Sequence, residues 1–523
     1  MGLPILDPFS DAPPAALTER TAKAPPNQLA TFRFPADRQQ HDAKRWFSDG
    51  PQARPVHTGN EVMYLIDGAK AFAAMAHAAS TATDPSKHFV YILGWTMFLD
   101  FPFAEDGKTL AQVLEAASNR GAQIRVMIWD SSPLLDPVKL TYERWMPDAG
   151  HNSSVVDRLN DLKTANAVLD GRTLVAGAHH QKVFIVNGTE GLVAFCGGID
   201  ANPDRVFKKG VQGSTQDGAP MHDVHCRIRG AATFDILETF IQRWTDFHRV
   251  HPFPEKGPLL GKNVTLSSLP KQGRLHVQIG RTFGNGTAHS MLTPSNPTPP
   301  LMKTPYDFAV NGESTNRAMF FHAIAAAKRF IYIEDQYLVN PEASAALVKA
   351  LPNISHLTIL IPHSDISDMP RVRELRKKFV APLRRAGGEK VRIFVRSPFG
   401  PDVPRSYVHA KTWVFDDQFA IIGSANTNQR GWTHDSEICA GIYDESTNDH
   451  ASYSFAHRLR VALWAEHLNM NTADGHAQLA DGVASAANWL LPGGNVDAFA
   501  ENAGQDKGIK ALVPLLFIDP DGA

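Results

Sequence analysis

A histidine and a lysine two residues apart occur twice in this chain, each time at the head of an apolar run. His180-Gln181-Lys182 leads into Val183-Phe184-Ile185-Val186 and ends at Asn187. His409-Ala410-Lys411 leads into Thr412-Trp413-Val414-Phe415 and ends at Asp416. Each copy continues into a second strand-like segment that closes on small residues, Gly197-Gly198-Ile199-Asp200 and Gly423-Ser424-Ala425-Asn426. In an extended chain, residues i and i+2 face the same way, so each copy sets an imidazole beside a fixed positive charge. Two ammonium groups suit the binding of a phosphate. Two imidazoles suit a two-step displacement, in which one attacks phosphorus while the other protonates the leaving alcohol. One His-x-Lys carries little information. Two in matching contexts point to a composite site built by duplication, with the halves meeting about a pseudo-twofold axis.

The surrounding pattern supplies elements to hold such a site. Phe89 to Trp95 and Ile124 to Trp129 read as buried strands, with an amphipathic helix over Leu110 to Ser118 between them. The same order recurs as Phe330 to Ile333, a helix near Ala343 to Ala350, and Leu357 to Ile361. Continuous apolar strands between helices imply sheets covered on both faces. The expected fold is therefore α/β: two similar halves from an internal duplication, each a mixed sheet flanked by helices. The chain divides into an N-terminal arm over 1–60, a first half over 61–255, a Pro-, Gly-, Ser- and Thr-rich linker over 256–305, and a second half over 306–523. Within the first half, Asn187-Gly188 is a hairpin signal. The apolar run Ala511 to Phe517 is too short to anchor in a membrane and reads as packed on the body.

The doubled His-x-Lys-x4-Asp pattern resembles the phospholipase D superfamily. Pro220-Met221-His222-Asp223-Val224-His225 followed by Arg227-Ile228-Arg229-Gly230 is similar to the segment after the first motif in eukaryotic-type phospholipases D. Phe240-Ile241-Gln242-Arg243-Trp244, Ile331-Tyr332-Ile333-Glu334-Asp335-Gln336-Tyr337 and Asp435-Ser436-Glu437-Ile438 resemble further blocks of those enzymes. The likeness spans roughly Asn60 to Leu468. The first copy departs from the pattern, with Asn187 where the family has Asp and Asp200 where many bacterial members have Asn.

The resemblance implies His180 as nucleophile and His409 as general acid, with Lys182 and Lys411 holding the non-bridging phosphate oxygens. It implies that Asp223 orients His180 and that Asp435, with Glu437 behind it, orients His409. Asn426 and Ser424 are expected to bind the substrate phosphate, and Asn187, Asp416 and Asp200 to be structural. The implied activity is a phospholipase D that cleaves the distal phosphodiester of glycerophospholipids through a phosphohistidine, with transphosphatidylation to alcohols. The scheme requires no cofactor and no metal. No HExxH, P-loop or EF-hand loop is present, and His179, His222 and His225 near the motifs read as packing residues rather than a metal cluster.

Composition narrows the alternatives. A net charge of −2 offers no global basic field, which disfavours a nuclease relying on many phosphate contacts. A phosphatidyltransferase is the other alternative within the superfamily. A non-catalytic relic is motivated only by Asn187. Cys196, Cys226 and Cys439 show no metal-ligand spacing and read as small buried residues. The N-terminus has no basic-then-apolar signal pattern, and no run is long enough to span a membrane. The expectation is a cytoplasmic protein, or one exported without a cleavable signal, that meets phospholipid at a membrane or micelle surface. Apolar loops at Leu259-Leu260 or Leu301-Met302 are the expected contacts. Nucleic acid is not an expected partner, and a monomer suffices because duplication already supplies a pseudo-dimer.

Overall fold

A computed structural model of the chain describes residues 43–50, 53–130, 151–173, 177–206, 221–284, 306–363, 371–400, 403–444 and 454–500. The first half runs β1 (Val56–Ile66), α1 (Gly68–Ser80), β2 (Phe89–Gly94), α2 (Leu110–Asn119), β3 (Gln123–Trp129), α3 (His151–Asn160), β4 (Ala165–Asp170), β5 (Val183–Gly188), β6 (Gly191–Gly197), β7 (Val224–Arg229) and α4 (Thr233–Val250). The second half repeats the sequence of elements. It runs β8 (Leu275–Phe283), α5 (Thr315–Ala326), β9 (Phe330–Asp335), α6 (Pro341–Ala350), β10 (His356–Ile361), α7 (Val372–Gly387), β11 (Val391–Arg396), β12 (Lys411–Phe415), β13 (Phe419–Gly423), β14 (Glu437–Tyr443) and α8 (Phe455–His467), with β15 (Val496–Ala498) at the edge.

The two halves share one 16-stranded sheet rather than two separate ones. Its order is β4-β3-β2-β5-β6-β7-β1-β8-β14-β13-β12-β9-β10-β11-β15, a palindrome about the antiparallel β1–β8 pair except for β15; the sixteenth strand, Glu313–Ser314, pairs with β8 off this path. In each half the outer strands, β2-β3-β4 and β9-β10-β11, are parallel and the inner ones antiparallel. The parallel strands read as unbroken apolar runs because helices cover both faces. One core, with Phe240, Trp244, Leu459 and Trp464 from α4 and α8, runs beneath both halves. The other face carries a separate core in each half.

Three expectations change. The stretch taken as linker, 256–305, contains β8, which sits in the middle of the sheet; most of its Pro, Gly, Ser and Thr flank this strand on either side, and 285–305 lies outside the described residues. Val56–Asn60, assigned to the arm, belongs to β1, while residues 1–42 and the run 511–517 also lie outside the described residues. The β5–β6 hairpin turns at Thr189-Glu190 rather than at Asn187-Gly188, since Gly188 pairs with Gly191. Gly188 serves close approach instead: a Cβ there would meet Thr81 Oγ1 at 1.9 Å.

The last motif residues tie strands to neighbouring loops. Asn187 Nδ2 donates to the Lys87 carbonyl at 2.9 Å. Asp416, buried in a turn with φ 55°, accepts from the backbone N–H groups of Lys328, Arg329 and Phe330 at 2.8, 2.7 and 3.0 Å. Neither motif end lies at the imidazoles. Asp416→Ala leaves those donors without their acceptor and is expected to lower stability by about 3 kcal/mol in urea unfolding. Asp416→Asn, which keeps an acceptor oxygen, should lose less.

Candidate active site

The ladder register makes the halves superimposable in detail. Gly197 pairs with His225 as Gly423 pairs with Cys439, so Asp223 and Glu437 occupy equivalent places just before their strands' cores. Asp435 therefore has Met221, not Asp223, as its counterpart. The histidine segments then cross over. His180 N donates to the Ser436 carbonyl at 2.9 Å, and His409 N donates to the His222 carbonyl at 2.8 Å. Tyr407-Val408 runs parallel to Met221-His222, and His179 bridges to Ser436 in the same sense. Each motif histidine is thereby held against the other half.

This crossing reverses the expected orienting pairs. His180 Nδ1 lies 2.9 Å from Glu437 Oε1 and 3.1 Å from the Ser424 carbonyl. A carbonyl only accepts, so Nδ1 carries the hydrogen and Nε2 keeps the lone pair. His409 Nδ1 lies 2.7 Å from Asp223 Oδ2. Asp223 thus serves His409 rather than His180, and Glu437 serves His180. Asp435 orients neither imidazole: it accepts from Ala178 N at 2.7 Å and pairs with Arg430 at 3.3 Å, which fastens the residues before His180.

The lysines are held differently in the two halves. Both Nζ groups donate to the carbonyl of their own motif histidine. Lys182 also pairs with Asp200 at 3.0 Å and lies 5.8 Å from the Trp95 ring centre, whereas Lys411 donates to Gln336 Oε1 at 2.9 Å. Asp200, expected to be merely structural, is the counter-ion of a motif lysine; the departure from Asn makes sense at a site with a buried ammonium. Ser424 is not directed at a phosphate, because its hydroxyl donates to Glu437 and accepts from Ile438 N at 3.0 Å. Asn426 is 4 % exposed, and its Oδ1, an acceptor, has no hydrogen-bond partner, so this atom suits a donor on a ligand and not a phosphate oxygen.

Burial dominates the electrostatics. Burial, reinforced by Lys182 and Lys411, holds His180 well below the usual imidazole range. Burial, then Lys411 and Arg205, does the same to His409. Burial pushes Asp223 up to about 6 against the pull of Lys411 and Arg205, and pushes Lys411 down to about 7 despite Asp223. Burial and the neighbouring Asp435 raise Glu437 well above the ordinary carboxyl range. The pocket thus rests with neutral imidazoles beside cations, a state that an incoming anion would relieve.

A second ionic cluster lies behind His409. His222, fully buried, has Nε2 3.0 Å from Glu334 and Nδ1 3.0 Å from Asp67 and 3.3 Å from Glu466. Burial opposes charge on His222, but Glu466, Glu334 and Asp67 outweigh it and hold the imidazole well above its usual range. Arg396 Nη1 lies 2.6 Å from His467 Nδ1, which leaves the His467 Nε2 hydrogen for Glu334 at 2.8 Å. Asp67, Glu334 and Glu466 close around both ring nitrogens of His222, so the imidazolium itself is the cation of this cluster. His179 and His225 take no part: His179 lies 2.7 Å from Ser436 Oγ, and His225 Nδ1 accepts from Ile199 N at 3.3 Å. Sequence reasoning assigned nothing to Glu334, Gln336, Asp67, Glu466 or His467; Glu334 and Gln336 lay inside a quoted family block, while the others had no motif to mark them. Leu259, expected at a site mouth, is buried in the core beneath the sheet; Leu301-Met302 lies outside the described residues.

Comparison with known proteins agrees with this architecture. The family model for phospholipase D matches residues 82–357, and that for the cardiolipin synthase PLD-like domain matches residues 320–459. Phospholipase D alpha 2 of Oryza sativa subsp. japonica is 22% identical, covering 74% of this chain and 63% of that protein. Phospholipase D alpha 1 of Arabidopsis thaliana is 23% identical over the same shares. The chain therefore spans less than two thirds of the length of these relatives. Among solved structures, the phosphatidylserine synthase of Haemophilus influenzae Rd KW20 shares the fold, with a TM-score of 0.50 at 12% identity over 85% of this chain and 89% of that one.

Proposed function

The chain belongs to the phospholipase D family, and on that premise we propose that it hydrolyses the distal phosphodiester of glycerophospholipids to phosphatidate and the free head-group alcohol. One arrangement carries this reading: two lysine-flanked imidazoles, each with Nδ1 held by a carboxyl group of the opposite half. His180 Nε2 attacks phosphorus, the P–O bond to the head group breaks, and the His409 Nε2 proton passes to the departing oxygen. The phosphodiester's negative charge offsets the lysines that keep His409 neutral in the free pocket, so substrate itself favours the imidazolium required of the acid. His409 then takes a proton from water, whose oxygen displaces His180 and releases phosphatidate. An alcohol in place of water gives transphosphatidylation. Lys182, Lys411 and the Asn426 Nδ2 amide donate to the non-bridging oxygens as charge builds on them.

Among the described residues no helix is long and apolar enough to cross a membrane, and the lipid is met at a membrane or micelle surface. The decisive assay is head-group release from phosphatidylcholine and phosphatidylethanolamine micelles with ethanol present. Choline or ethanolamine together with phosphatidylethanol is the expected result. Folded protein that releases neither, but cleaves phosphatidylglycerol, cardiolipin or DNA, would overturn the substrate assignment.

The pH profile follows from two buried groups. As pH falls through about 6, Asp223 gains a proton and loses the charge that favours an imidazolium at His409; as pH rises through about 7, Lys411 loses its charge. A narrow bell in kcat/KM, with its acid limb near 6 and its alkaline limb near 7, is expected in pH-rate measurements.

A further inference from the structure

The chain carries a net charge of −2, yet residues 371–392 hold nine Lys and Arg against two Glu, a local excess of seven positive charges. Most of this segment is α7. Its stripe of Val372, Arg376, Phe379, Val380 and Leu383 is buried, which turns Lys377, Lys378, Arg384 and Arg385 outward. A helix face that is merely solvated mixes both signs. Here Glu374 is the one acid in the helix, and it is shared by Arg371 and Lys378.

The helix is also rigidly mounted at the site. Arg376, 1 % exposed, donates to the carbonyls of Gln336, Tyr337 and Pro362 at 2.7, 2.9 and 2.8 Å. Gln336 is the residue whose side chain holds Lys411. The buried side of the helix is therefore tied, through Arg376 and Gln336, to the catalytic lysine of the second half. A 16-residue helix presents about 24 Å of such surface. It exposes no aromatic side chain on which a base could stack, since its one aromatic residue, Phe379, is buried.

We propose that the outward face of α7 docks the protein on anionic lipid surfaces, bringing the second-half catalytic pair to the membrane by charge attraction. The choice of a lipid occupant rests on the phospholipid reading above. Juxtaposed lysines and arginines draw a protein to anionic headgroups within a Debye length, additively and with strong salt dependence. Phosphatidate, the product of the proposed reaction, would strengthen the attachment as it accumulates.

The test is co-sedimentation of the full chain with vesicles of phosphatidylcholine alone and of phosphatidylcholine mixed with phosphatidylglycerol, at low and high salt. Binding should require phosphatidylglycerol, fall with salt, and weaken by about 100-fold or more in the K377E/K378E/R385E variant. The milder K377Q/K378Q/R385Q variant should weaken binding less and guards against misfolding, which thermal melts would reveal. Turnover of a monomeric short-chain phosphatidylcholine, measured in parallel, should be unchanged in both variants. Equal binding to neutral vesicles, or full binding by the reversed variant, would overturn the docking surface. So would loss of short-chain turnover in a folded variant, which would place α7 in the catalytic frame. Binding of DNA without binding of vesicles would replace lipid by nucleic acid. Absent turnover in wild type with charge-dependent vesicle binding would instead sink the phospholipase reading and leave the docking surface standing.

Discussion

His180→Ala should abolish turnover of phosphatidylcholine, with kcat falling on the order of 10⁴-fold or more, because it removes the nitrogen that forms the covalent intermediate in this scheme. His409→Ala should be nearly as damaging with a choline leaving group, which departs poorly without a proton. The two differ once the leaving group needs no acid. With phosphatidyl-p-nitrophenol, His409→Ala should give a burst of p-nitrophenolate equal to the enzyme present and then stall, since the base that activates water is missing. His180→Ala should give no burst. The geometry behind this expectation is the acceptor pair at His180 Nδ1, Glu437 and the Ser424 carbonyl, which leaves Nε2 with its lone pair. A burst in His180→Ala and none in His409→Ala would interchange the two roles. Normal turnover in both variants would remove the phosphohistidine from the scheme.

Much of this was legible in the residues, because strands and duplicated motifs follow local rules. The run Phe89 to Gly94 is apolar on both faces and forms a covered strand; Thr109 and Gln112 form a capping box where an amphipathic period begins. The doubled His-x-Lys pattern located both lysine–histidine pairs. What failed was pairing between distant segments. Nothing in the identity of Asp223 or Glu437 says which imidazole it faces, since that depends on His180 and His409 each bonding to a backbone carbonyl of the other half. Proximity in sequence favoured Asp223 with His180, and a crossover of a few residues decided otherwise. Asp435 misled for a related reason. It stands two residues before the place equivalent to Asp223, and only the ladder register separates the two. The central strand β8 was hidden because its alternation over Leu275 to Ile279, broken at Gly280 and Arg281, sits within turn-rich sequence.

Exchange of the orienting carboxylates tests that crossover directly. Glu437→Gln keeps the size of the side chain but has no proton to release, so it cannot become the anion that offsets the cation formed on His180, and its amide can turn a donor toward Nδ1. By analogy with the orienting acid of a catalytic triad, a loss of about 10³- to 10⁴-fold in kcat is expected. Asp223→Asn should cost a similar factor with phosphatidylcholine, for it disables the acid and the base steps of His409. The p-nitrophenyl substrate separates them. Asp223→Asn should retain the burst and lose the steady state, as His409→Ala does, whereas Glu437→Gln should lose the burst itself. Asp435→Asn, which acts on His180 only through the Ala178 backbone and Arg430, should be the mildest of the three. The uncrossed arrangement predicts the opposite, with the burst lost in Asp223→Asn and kept in Glu437→Gln. Crossing also means that neither half alone owns a complete catalytic pair: each carries an imidazole whose acceptor belongs to its partner half. Halves expressed separately should therefore be inactive however well they fold, and mixing a Glu437→Gln second half with a wild-type first half should restore no burst.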